Sequence, residues 1–158
     1  MELPPRAVLA RPEPKMKAIE REEMTNITGG CLCGAVRYTI DADPLPGRKF
    51  LCHCEDCQRH TGSPFVASLA FPRESVTMTG DLTTFTRPGG QSGEPMHRRF
   101  CRQCGSPMTI HRDSTGRVLI LAGTLDDTSL FAPDLSFFCD SALSWVVIPE
   151  NCQKFARA

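Results

Sequence analysis

From Thr28 onward, hydrophobic and polar positions follow the pattern of a mainly β protein. Short runs rich in β-branched and aromatic residues alternate with clusters of glycine and proline. No long stretch has the 3.6-residue period of an amphipathic helix, so helical turns are predicted only over Asp126–Phe131 and after the cysteine run at 52–57. The predicted strands are Ala35–Asp41, Phe65–Phe71, Ser75–Thr79, Thr83–Arg87, Met96–Phe100, Pro107–His111, Val118–Gly123 and Ser144–Ile148.

The first 24 residues differ in composition from the rest of the chain. Four prolines fall within the first 14 residues, and the charged stretch Lys15–Glu23 follows them. We therefore predict that residues 1–24 form a mobile N-terminal extension and that residues 25–158 form a single domain. Phe65, Phe71 and Trp145 are assigned to the core of that domain.

Charge and hydropathy argue against nucleic-acid and membrane partners. The 158 residues contain 18 Lys or Arg and 18 Asp or Glu, so the formal net charge is zero and nucleic acid is not expected as a partner. No apolar run approaches the ~20 residues that a membrane-spanning helix needs. The first 15 residues lack the apolar region of a signal peptide, so we expect a cytoplasmic protein that binds no membrane.

Nine cysteines carry most of the chemical information. In a reducing compartment, cysteines at close spacing more often bind metal or catalyse reactions than form disulfides. Seven of them form clusters in GGCLCGAV, LCHCEDCQRHTGSPF and RRFCRQCGSPM, and Cys139 and Cys152 stand apart.

Two of these clusters have the form of zinc knuckles. Cys101 and Cys104 are separated by two residues, Cys31 and Cys33 by one, and a glycine follows each pair. A structural zinc ion takes four ligands, so the economical arrangement is one site shared by both pairs. The alternative is two independent buried or redox-active pairs.

The remaining cluster supplies three thiols within six residues, at Cys52, Cys54 and Cys57. Three ligands leave one tetrahedral position open, which is typical of a catalytic zinc site. Two alternatives remain: a second structural zinc completed by His53 or His60, and a redox pair of Cys54 and Cys57. An open three-thiolate site carries net negative charge and accepts sulfur readily, so the predicted fourth ligand is a substrate thiol. A hydrolase that activates water is the less favoured interpretation.

These motifs resemble the glutathione-dependent formaldehyde-activating enzyme (GFA) family, whose domain is shared with centromere protein V. The resemblance runs from Gly29 to about Trp145 and includes GTLDD at 123–127. It implies a zinc-bound, all-β fold called a β-tent, with little helix. It also implies a structural zinc on Cys31, Cys33, Cys101 and Cys104, and a second, catalytic zinc on Cys52, Cys54 and Cys57, which adjacent thiols could make labile.

The activity that the resemblance implies is a carbon–sulfur lyase reaction, in which glutathione adds to formaldehyde. The expected partners are thus a small thiol and an aldehyde. Arg59, Gly62 and Ser63, next to the cysteine run, are the candidate substrate-binding residues. The chain departs from the family pattern at Ser136 and Ala142, where many members have histidine and lysine.

Two other functions remain open. One is a non-catalytic, zinc-stabilised module that binds a protein partner. The other is a methionine sulfoxide reductase, which needs a nucleophilic cysteine outside the zinc sites. Only Cys139 and Cys152 remain for that role, and neither has a nearby histidine in the sequence.

Overall fold

The computed structural model describes residues 26–44, 48–89 and 92–157. Within these ranges the protein is mainly β, as predicted, with one α-helix of seven residues. The predicted extension at 1–24 lies outside the described residues. No helix in the described part of the chain is long and apolar enough to cross a membrane.

The strands form two sheets. A three-stranded antiparallel sheet has the order β1-β2-β5, and an eight-stranded sheet has the order β11-β10-β3-β4-β9-β8-β7-β6. In the larger sheet, β10 pairs in parallel with both β3 and β11, and the other pairs are antiparallel. The elements are β1 (Ile27–Gly30), β2 (Arg37–Ile40), β3 (Lys49–Cys52), α1 (Glu55–Thr61), β4 (Val66–Pro72), β5 (Val76–Thr79), β6 (Leu82–Pro88), β7 (Pro95–Cys101), β8 (Pro107–His111), β9 (Arg117–Leu121), β10 (Leu135–Phe137) and β11 (Gln153–Lys154).

The main hydrophobic core lies between the two sheets. Tyr38 and Ile40 of β2 meet Leu69 and Phe71 of β4, together with Ile120 of β9, all almost fully buried. Side chains alternate between the faces of a strand, so these residues define the inner face of the large sheet. The opposite face carries a smaller cluster of Val66, Ile110 and Leu121.

The sequence prediction was wrong at the C-terminal end. Ser144–Ile148 is not a strand, and Trp145, assigned to the core, is 68% exposed. Of the other two residues assigned to the core, Phe71 is fully buried, as predicted. Phe65 is only half-buried and lies beside His53. Four short strands were not predicted: β1, β3, β10 and β11.

Candidate metal centres and substrate cavity

Four cysteine sulfurs come together where the two sheets meet. The Sγ atoms of Cys31, Cys33, Cys101 and Cys104 all lie within 4.8 Å of one another. The Sγ–Sγ distance is 3.5 Å between Cys31 and Cys33 and 3.8 Å between Cys33 and Cys101. Sulfurs bound at ~2.3 Å to one tetrahedral zinc ion would lie about 3.8 Å apart, so this donor set fits zinc in both identity and spacing.

Two tight turns bring these sulfurs together. Gly34 and Gly105 have φ angles of 79° and 72°, in the left-handed region that residues other than glycine adopt at a cost. The backbone N–H of Val36 donates to Cys31 Sγ at 3.2 Å. The Ser106 side chain lies 3.2 Å from Cys104 Sγ, and its hydrogen bond lowers the pKa of Cys104, which favours the thiolate that a metal requires.

This four-cysteine group connects distant parts of the chain. Cys31 directly follows β1 of the small sheet, whereas Cys101 ends β7 of the large sheet and is fully buried. A metal shared by these cysteines would cross-link the sheets and restrict the unfolded chain between residues 31 and 104.

The second cysteine group lies at the opposite face of the large sheet. Cys52 ends β3, Cys54 precedes α1 at its N-cap, and Cys57 lies within the helix. Their Sγ atoms are also within 4.8 Å of one another. Hydrogen bonding from Cys52, and then from Cys57, lowers the pKa of Cys54, while the contact with Cys52 raises that of Cys57. Close contact among the three sulfurs therefore favours a thiolate within the group.

Neither histidine of this run joins the three sulfurs in the described structure. His53 is fully buried, and its Nε2 lies 3.1 Å from the Ser136 hydroxyl on β10. His60 lies against a separate pocket that it shares with Arg59 and Phe85. The three-sulfur group thus has no fourth protein donor among the described residues.

The three cysteines open onto a cavity of about 560 Å³. Its walls are mostly apolar and include Phe50, Leu119, Phe137 and Phe138. Sequence reasoning missed these residues as part of the site. The only sequence feature that could have indicated this wall is the pair of adjacent phenylalanines at 137 and 138. In the structure, Phe138 has a positive φ of 57°, which is uncommon outside glycine.

The candidate substrate-binding residues Arg59, Gly62 and Ser63 are not among the residues that line this cavity. Arg59 has a 76% exposed side chain, pairs with Glu55 at 3.2 Å and lines the neighbouring pocket. Gly62 ends the helix in the left-handed conformation. The Ser63 hydroxyl donates to the Phe65 carbonyl within the following turn. Their part in substrate binding stays a prediction.

Gln58 is a positioning residue that the sequence analysis missed. Its side-chain amide donates to the His53 carbonyl at 2.7 Å and to the Ser141 carbonyl at 3.0 Å. These bonds attach the segment after β10 to the cysteine loop. That segment contains Cys139, which belongs to neither cysteine group.

A third group of potential metal donors lies at the far end of β7 and β8. His97 and His111 are cross-strand partners with stacked rings, and their Nε2 atoms lie 3.3 and 3.9 Å from Asp113. The Arg73 guanidinium already binds Asp113 at 2.9 Å. Burial, then the charge of Arg73, lowers the pKa of His111 to about 4. We therefore assign these residues to an ion-pair network centred on Asp113 rather than to a metal site.

Comparison with known proteins agrees with the family resemblance. A model of the glutathione-dependent formaldehyde-activating enzyme family matches residues 26–141. An uncharacterized lyase of Schizosaccharomyces pombe is 29% identical over 86 residues, or 54% of this chain and 57% of that protein's length. A crystal structure of a Rhodobacter sphaeroides protein has 23% identity and a TM-score of 0.49, over 63% of this chain and 87% of that one. With seven cysteines of the family motifs gathered in two groups and the family model spanning most of the chain, this protein belongs to the glutathione-dependent formaldehyde-activating enzyme family.

Proposed function

We propose that this protein is a zinc-dependent carbon–sulfur lyase that adds a small, glutathione-like thiol to an aldehyde such as formaldehyde. The observation that carries the proposal is the three-sulfur group of Cys52, Cys54 and Cys57, which has no fourth donor among the described residues and opens onto a cavity. A closed structural site would have its fourth ligand from the protein.

The two cysteine groups then have different roles. Cys31, Cys33, Cys101 and Cys104 would hold a structural zinc ion, and Cys52, Cys54 and Cys57 would hold a second one. Zinc at the second position would supply Lewis acidity toward a substrate thiol, which it binds in the deprotonated form. Residues 25–158 form the catalytic unit in this proposal, and the reducing cytoplasm keeps the cysteines available.

The surrounding residues hold the site in shape. Asp56 lies 3.4 Å from Arg87 and 3.5 Å from Arg98, so its carboxylate fixes the first turn of α1 against β6 and β7. The contact between His53 and Ser136 fixes the loop that carries Cys52 and Cys54 against β10. In the reaction, the thiol sulfur bonds to the carbonyl carbon and the thiol proton ends on the carbonyl oxygen.

Exchange spectroscopy tests this function. Glutathione and formaldehyde form their adduct slowly without a catalyst, so nuclear magnetic resonance can measure the exchange rate with and without zinc-loaded protein. We expect faster exchange with the wild type and with Cys139→Ser, whose cysteine lies outside both groups. The rate with Cys54→Ser should equal the uncatalysed rate. No acceleration by zinc-loaded wild type with any small thiol would refute the proposal.

A protein-binding module is the second candidate function. One observation favours it: Leu143, Trp145 and Val147 are 39%, 68% and 89% exposed within one short segment. Exposed apolar patches often mark interaction sites. This alternative predicts two metals that resist chelators equally, because neither would need an open position.

A further inference from the structure

The outer face of the large sheet forms the floor of the cavity. The register places Ala70, Leu119, Ile110 and Arg98 in one row across β4, β9, β8 and β7. Directly paired residues point to the same face, so this row faces away from the main core. Cys57 of α1 packs against the same face, next to Val66 and Ile110. The cysteine group and the apolar floor therefore belong to one compartment.

This compartment is far larger than formaldehyde requires. Its volume is about 560 Å³, within the range of ~300–1,000 Å³ typical of sites for organic ligands. Formaldehyde has two heavy atoms, and a water molecule occupies only about 30 Å³ in the liquid. Most of the wall surface is apolar, although Arg48, Arg112 and Arg117 also line the cavity, so it can hold a ligand with an apolar body.

One buried cation lies at the border between this cavity and the neighbouring pocket of Arg59 and His60. Arg98 is only 3% exposed and lines the cavity. Its second guanidinium nitrogen, NH2, lies 3.5 Å from Asp56, whereas NH1 is buried without a hydrogen-bond partner among the described residues. A buried unpaired donor is costly, so a side-chain shift that brings NH1 to the cavity surface would let a ligand oxygen satisfy it.

We propose that the cavity binds the organic chain of the carbonyl substrate, and that this substrate is an aldehyde with an apolar body of several carbon atoms, since cavities of this volume hold organic ligands. Its oxygen accepts a hydrogen bond from Arg98. The reaction itself rests on the proposed function: the S–C bond forms, the thiol proton moves to the carbonyl oxygen, and no oxidant or reductant is needed. The binding of the apolar chain does not depend on that reaction.

Calorimetry with unreactive mimics tests the inference on the zinc-loaded full chain. Butanoate, hexanoate and octanoate carry an oxygen acceptor for Arg98 and differ only in chain length. We expect the dissociation constant to fall about fourfold for each added methylene group. Arg98→Met should weaken all three by a similar factor, about tenfold, because it removes the shared polar contact.

Variants that fill the cavity test whether the dependence of affinity on chain length arises there. Leu119→Trp fills the floor and should abolish the dependence on chain length, whereas Thr84→Trp adds the same side chain at an exposed position of β6 and should leave it unchanged. Met96→Trp, at another position of the same cavity, replaces Leu119→Trp if that variant does not fold. Affinity independent of chain length, or an equal loss in Thr84→Trp, would overturn the inference.

Comparing ligand binding with the rate of thiol addition distinguishes a failure of this inference from a failure of the proposed function. Chain-length-dependent binding without any acceleration of thiol addition would overturn the lyase and leave the cavity assignment standing. Acceleration with formaldehyde, but no chain-length dependence of binding and no gain with hexanal or octanal, would overturn the cavity assignment alone. With both correct, octanal should have a higher kcat/KM than formaldehyde, and Leu119→Trp should reverse that order.

Discussion

The two cysteine groups have the same chemistry but opposite surroundings. The four-cysteine group has a full set of donors, a buried member at Cys101, and turns fixed by Gly34 and Gly105. The three-cysteine group lacks a fourth donor among the described residues and faces a cavity. The difference teaches that donor number and access, more than residue type, distinguish a group that stabilises the fold from one available for chemistry.

The largest expected effect concerns the fold. Cys101→Ser removes a fully buried ligand from the group that joins the sheets. Because metal binding at a structural site contributes directly to folding, we expect a loss of more than about 4 kcal/mol, or no soluble protein. Thermal unfolding and soluble yield check this. A melting temperature equal to that of Cys139→Ser would contradict a shared four-cysteine site.

Cys54→Ser should separate activity from stability. We expect at least a hundredfold loss of thiol-addition rate, because the group loses one of the three sulfurs that would hold the second zinc ion. The melting temperature should stay within a few degrees of the wild type, because in this account the second zinc ion does not cross-link the two sheets. Steady-state rates and thermal unfolding are measured on the same sample. Unfolding of this variant would show that the second group is structural.

The third donor group should respond to pH rather than to chelators. Its His111 has a folded pKa of about 4, below the unfolded value of ~6.5, so the unfolded state binds more protons between these values. Stability should therefore fall as the pH drops from 6.5 to 4. His111→Gln should reduce this loss by roughly 1–3 kcal/mol, measured by denaturant unfolding across the window. Equal slopes in both proteins would argue against a buried neutral His111.

The smallest effect tests the turn geometry of the four-cysteine group. Gly34→Ala places a side chain at a φ of 79° with open space around it, so strain alone should cost about 1 kcal/mol. Gly123→Ala is the matched control, because that glycine also has open space but no positive φ. Comparable unfolding free energies for the two variants would mean that the turn does not require glycine.

The sequence predicted the strands that have strong local signals. Val66–Pro72 and Pro107–His111 follow runs of β-branched or aromatic residues bounded by glycine or proline, and the structure has strands there. In contrast, Leu135–Phe137 exists as a strand because it pairs with Phe50–Cys52, more than 80 residues away. The local amino-acid sequence does not predict pairing between segments so far apart. Ser144–Ile148 is rich in aromatic and β-branched residues, as strands are, but it pairs with no strand among the described residues, and Trp145 and Val147 are exposed.

The site was predictable to the extent that spacing determines it. Short spacings and trailing glycines were enough to group Cys31 with Cys33 and Cys101 with Cys104. The cavity depends instead on which face of a sheet each residue occupies, and that register comes from partners distant in sequence. The sequence alone does not distinguish Arg98 from the exposed arginines, whereas the structure buries it.

Metal content during chelation tests the central claim most directly. Protein purified without oxygen is treated with increasing chelator while elemental mass spectrometry counts zinc per chain and circular dichroism follows the fold. Our account predicts two zinc ions per chain, of which one leaves first without a change in the fold and the second leaves only as the protein unfolds. Two zinc ions that leave together with unfolding, or a zinc-loaded protein that never holds more than one, would contradict it.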